Sequence, residues 1–165
     1  MKILRLLLLL VIIPFIAGFS TPPPRMPYIH PVLKPYVIEW YRDMNSRGIN
    51  LVHFSELDSV KLVPAWSVIC GNPDAIGCYD SDVNTITVRV PYGDNLSDRD
   101  MYYRMTLYHE LGHGVLKLPH NTFRFSIMSP GQSAPQWVYR DVWSKLVREY
   151  VDFHRILYNP TLLRR

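Results

Sequence analysis

The chain has 165 residues, 48% of them hydrophobic and 19% charged, which suits one compact domain and excludes wholesale disorder. Lys and Arg outnumber Asp and Glu by 18 to 14, and because Lys2 and Arg5 lie in a removable leader the balance falls to 16 to 14 without it. An excess so small and dispersed argues against nucleic acid or an anionic membrane as the main partner.

Residues 1–20 have the layout of a secretory signal: Lys2 and Arg5, an apolar run from Leu6 to Ile16, then small residues at Ala17, Gly18 and Ser20. Export to a periplasmic or extracellular space is expected. The alternative is a membrane anchor formed by residues 3–19, but Leu6 to Phe19 is 14 residues, short of the ~20 that span a bilayer as a helix. Thr21 to Pro31 holds five prolines and reads as an extended arm (21–31), leaving a folded domain over residues 32–165.

Pro35 suits a first helical turn, and Tyr36, Val37, Trp40, Tyr41 and Met44 then recur with helical spacing until Gly48. Ile49 to Phe54 and Val60 to Ile69, the latter broken at Pro64, predict short strands. Cys70 and Cys78 flank a turn-rich stretch and predict a structural disulfide in an oxidising compartment. Thr85 to Val90 alternates cleanly and is the best strand. Ser97 and Asp100 resemble a capping box for a helix that starts near Asp98 and runs to Leu116, with apolar residues on more than one face. Residues 119–135 should be irregular, and Gln136 to Tyr158 is again helical. The order implies an α+β fold in a single, monomeric domain.

Within the second helix, residues 109–113 read HELGH. Positions four apart lie about 40° apart around a helix and about 6 Å along it, so the imidazoles of His109 and His113 can reach one metal ion. Glu110 is offset by about 100° yet close enough to act on a water there as a base. Neutral imidazoles suit zinc. His120 follows at the start of the irregular segment, whereas His30, His53 and His154 read as surface or packing residues.

The stretch HELGHGVLKLPH, followed by SIMSP, resembles the metzincin clan of zinc metalloproteases, in particular its matrixin-like members and small bacterial metallopeptidases. The resemblance implies a small mixed, twisted sheet before the active-site helix, with His109, His113 and His120 as zinc ligands, Glu110 as general base and Met128 as the Met-turn methionine. It implies hydrolysis of peptide or protein substrates, with Ile86, Thr87, Val88 and Arg89 on the strand that pairs with extended substrate. Tyr139 is a candidate to assist the oxyanion. His113 and His120 are seven apart where the clan has six, and Leu116 or Lys117 occupies the position of its turn glycine. Glu149 is a rival third ligand. The alternative functions are a peptide-binding protein and a non-peptidase zinc hydrolase using the same site.

Overall fold

The computed structural model describes residues 26–92, 96–122, 126–130 and 136–158, without side-chain detail at 96–98 and 136–139. The leader (1–20), residues 21–25 of the arm and the Tyr139 hydroxyl lie outside the described residues. In chain order the elements are β1 (Tyr28–Ile29), α1 (Lys34–Ser46), a 3-10 turn (Val52–Glu56), β2 (Ser59–Val63), β3 (Gly77–Asp80), β4 (Thr85–Arg89), α2 (Leu96–Gly114) and α3 (Gln136–Tyr158). This is a small α+β domain.

The sheet has the order β1-β2-β4-β3, with β1, β2 and β4 parallel and β3 antiparallel to β4. The arm does not stay outside it. Tyr28 and His30 donate their backbone N–H groups to Asp58 and Val60, at 3.0 and 2.9 Å, and Pro27 is buried. Proline-rich backbone is already extended, and the non-proline positions still have donors, so the end of the arm becomes an edge strand. The described end of the arm, from Pro27, is thus packed with the domain.

Pro35 sits in the first turn of α1, whose buried face is Val37, Trp40 and Met44, as the spacing predicts. The strand expected over Ile49 to Phe54 is a 3-10 turn instead. Asn50 Oδ1 accepts from the Val52 N–H at 3.1 Å and Ser55 Oγ donates to the Val52 carbonyl at 3.0 Å, local bonds that compete with a ladder. The strand expected over Val60 to Ile69 stops at Val63, before Pro64. Helix α2 spans Leu96–Gly114, and the capping role of Ser97 lies outside the described residues.

Helix α2 packs against β3 and β4 and is touched by α1 and α3. That position explains its apolar residues on several faces: Met101, Met105, Leu107, Tyr108 and Leu111 are all at most 4% exposed. Behind it, Trp40 Nε1 donates to the Tyr150 hydroxyl at 3.3 Å, which donates to the Tyr108 carbonyl at 3.0 Å, while the Tyr108 hydroxyl donates to Asp43 at 2.6 Å. These bonds tie all three helices together. Among the described residues no helix is long and apolar enough to cross a membrane.

Cys70 and Cys78 form the expected disulfide, joining the tight Ile69 to Asn72 turn to β3. Replacing both by Ser should lower stability by about 2 to 3 kcal/mol in the chain-entropy model. For a domain of this size that is a fall in melting temperature of about 5 to 10 °C, measurable by calorimetry. An unchanged melting temperature would show that the bridge does not support the fold.

Candidate metal centre

Two ligand candidates come from one face of α2, and the third is returned by the chain after the helix ends. His109 and His113 bring their Nε2 atoms to 3.1 Å of each other, and His120 Nε2 stands 3.1 Å from His109 Nε2. Ligand atoms of all three lie within 4.8 Å of one another, the group among the described residues that could hold a metal ion.

The other ring nitrogens decide the tautomers. His109 Nδ1 is 2.7 Å from the Ile127 carbonyl and His113 Nδ1 is 2.6 Å from the Leu118 carbonyl. A carbonyl only accepts, so both Nδ1 atoms carry the proton and both Nε2 atoms are bare. Bare nitrogens facing one another repel unless a cation lies among them. Two nitrogens at about 2.0 to 2.1 Å from one ion, in tetrahedral directions, stand about 3.3 to 3.4 Å apart, within a few tenths of the spacing here. Burial lowers His109 to about 4 and lowers His113 as well, keeping both neutral, as ligands must be. The donor set therefore fits a zinc-like ion.

Glu110 is 6% exposed and lies on the same cleft, of about 690 Å³, as the three histidines. Burial raises its carboxyl to about 7, opposed by a hydrogen bond from the Tyr79 backbone. It is packed so tightly that a side chain at Gly77 would displace it or Thr106. A Cβ there would lie 2.9 Å from Glu110 Oε1 and would overlap the Thr106 methyl.

Strand β3 borders this cleft through Gly77, Cys78 and Tyr79. Arg89 N–H donates to the Ile76 carbonyl at 2.9 Å, and the antiparallel alternation then turns the backbone groups of Cys78 and Asp80 toward β4 and those of Gly77 and Tyr79 outward. Among the described residues β3 is thus the edge strand that borders the cleft, β1 being the other edge of the sheet, and its outward Tyr79 N–H already serves Glu110. The assignment of Ile86, Thr87, Val88 and Arg89 as a substrate-pairing strand is corrected here, because β4 is paired on both sides, with β2 and with β3.

Met128 is fully buried under α2, and a Cβ on Gly112 would lie 2.6 Å from its sulfur. Its turn is fastened to the residue after His120: Asn121 N–H donates to the Met128 carbonyl at 2.9 Å, and Asn121 Nδ2 donates to Ser126 Oγ at 2.6 Å. Glu149, the rival ligand, is exposed on α3 and pairs with Lys145 at 3.8 Å, apart from the cluster. His53 pairs with Glu56, His30 Nδ1 accepts from the Val32 N–H, and His154 lies against Tyr158. None of these three joins the metal group.

The sequence-based reading missed the carbonyls of Ile127 and Leu118 and the supporting role of Gly77 and Tyr79. Only the lone glycine before Cys78 could have hinted at a close approach. The seven-residue step from His113 to His120 begins with a widened helix end. Val115 and Leu116 N–H groups both point to the Leu111 carbonyl, at 2.9 and 3.3 Å, and Leu118 N–H reaches the Gly112 carbonyl at 2.9 Å. Lys117 takes the left-handed conformation, with φ 54°. Comparison with known proteins gives no match to any family model, curated protein or solved structure.

Proposed function

We propose that this chain is a zinc-dependent endopeptidase of the metzincin kind that cuts extended peptide or protein segments. The observation that carries the reading is the convergence of three imidazole nitrogens, two of them bare by their tautomers, beside a buried carboxylate in a cleft bordered by a free strand edge. His109, His113 and His120 would hold the ion. Zinc in such a site supplies Lewis acidity, making water acidic near neutral pH and polarising a carbonyl.

The chain's own residues do the rest. Glu110 takes a proton from the attacking water and delivers it to the leaving amide nitrogen, which is a poor leaving group until protonated. Its burial raises its pKa to about 7, which favours taking the proton from water and still lets it be given up near neutral pH. The Ile127 and Leu118 carbonyls hold the two helix imidazoles in the ligating tautomer and orientation. Apart from the Tyr79 N–H, which serves Glu110, the outer edge of β3 offers its main-chain groups to an extended peptide, which binds backbone with little regard to sequence. That favours peptides over small amides. The apolar leader and the Cys70 to Cys78 disulfide support action outside the cytoplasm.

The test is metal analysis of the purified protein followed by mass spectrometry of a peptide library incubated with it. One zinc per chain is expected, with cleavage stopped by a chelator and restored by zinc. Full zinc content with every peptide intact would overturn the peptidase reading, in favour of peptide binding if nonpeptide amides also stay intact and of a non-peptidase hydrolase if they are cut.

A further inference from the structure

Lys117 occupies a backbone conformation that side-chain-bearing residues avoid, with φ 54°. Its own side chain holds it there. Lys117 Nζ folds back to donate to the Gly114 carbonyl at 2.7 Å, one of the last carbonyls of α2, which have no partner within the helix. The ammonium also lies 3.5 Å from the Tyr79 hydroxyl and 5.4 Å from the centre of its ring. The Lys117 carbonyl accepts from the Tyr158 hydroxyl, at 3.2 Å, at the end of α3.

Each of these contacts bears on the three-histidine cluster. The residue after Lys117 is Leu118, whose N–H closes the widened helix end on Gly112 and whose carbonyl accepts from His113 Nδ1 at 2.6 Å. Two residues further on is His120. Tyr79, under the ammonium, supplies the backbone hydrogen bond to Glu110. One side chain therefore links the end of the histidine-bearing helix to the strand that supports Glu110, and its carbonyl links the same turn to α3.

We propose that Lys117 is a positioning residue for the metal centre: its ammonium pins the left-handed turn to the helix end, so that the Leu118 carbonyl stays on His113 and His120 is delivered to the other two imidazoles. A positive charge at the carbonyl end of α2 is also favoured by the helix dipole. A glycine in this place would make the turn easy. It would not hold it. The inference rests on the reading of the three histidines as a metal site.

Lys117→Gly separates the two roles, since it relieves the backbone while removing the pin, and Lys117→Met removes the pin alone. Zinc affinity would be measured by competition with a chromogenic chelator, the ligand field by the visible spectrum of the cobalt(II) form, and the fold by the melting temperature without metal. Both variants should bind zinc about tenfold more weakly, the low end of losses for groups that support ligands, and should shift the cobalt bands. Lys117→Gly should melt no lower than the parent without metal, and Lys117→Arg should recover most of the affinity. Wild-type affinity and spectrum in Lys117→Gly would overturn the proposal. So would a weakening fully accounted for by a lower melting temperature. If the parent protein binds no zinc, or binds it as well after His120→Ala, the metal reading itself fails and takes this proposal with it. Zinc lost only on changing His120, and not on changing Lys117, overturns the positioning role alone.

Discussion

Glu110→Gln is expected to leave the fold and the metal in place while lowering the rate of peptide cleavage by about two to four orders of magnitude, the usual contribution of a general base. Gln is nearly the same size, so it fits against Gly77, where space is too tight for a Cβ. It can also still accept the hydrogen bond from the Tyr79 backbone. Burial disfavours the charged form of Glu110, so a neutral side chain should not lower the melting temperature of the metal-free protein. The three imidazoles are untouched, and zinc content should stay at one per chain. The loss should fall on kcat, because the carboxylate acts on the moving proton more than on the bound peptide. Cleavage within a factor of a few of the parent, with zinc retained, would remove Glu110 from the mechanism.

The part of this site legible in the sequence is the part that a single helix encodes. Four-residue spacing alone puts His109 and His113 on one face, and the structure has them there with Nε2 atoms 3.1 Å apart. The helices themselves were similarly legible, since α1 and α3 follow from apolar spacing, Pro35 and Gly48. What could not be read depends on pairing between distant segments. Strand β3 is four residues, Gly-Cys-Tyr-Asp, with no alternation, and it exists because β4 offers it a ladder. Which strands are the edges is likewise a property of the sheet order. The substrate assignment followed the family resemblance to the strand before the active-site helix, Thr85 to Val90, which is interior to the sheet. Ile86 and Val88 are fully buried, and Arg89 is only 6% exposed. The carbonyls of Ile127 and Leu118 that hold the histidine tautomers belong to the backbone and leave no trace in residue type. Nor does the residue type of Lys117 announce its left-handed conformation.

His120→Ala should abolish cleavage and weaken zinc binding by more than about 100-fold, since even groups that merely support a ligand are worth about 10- to 100-fold in affinity. His120 is the exposed member of the cluster and comes from irregular chain, so its position depends on the turn before it and on the Asn121 to Met128 bond after it. With it gone, His109 and His113 remain held by the Ile127 and Leu118 carbonyls. Two imidazoles on one helix face are a weak site, short of the three protein ligands that catalytic zinc requires. The metal-free fold should change little, because His120 is not among the buried core residues. Glu149→Ala is the matching control. Glu149 is exposed beside Lys145, and its removal should leave both zinc content and cleavage as they were. Chelator competition on the two variants side by side decides the ligand set: zinc lost with Glu149 and kept without His120 would overturn the three-histidine centre, and with it the metzincin reading of this chain.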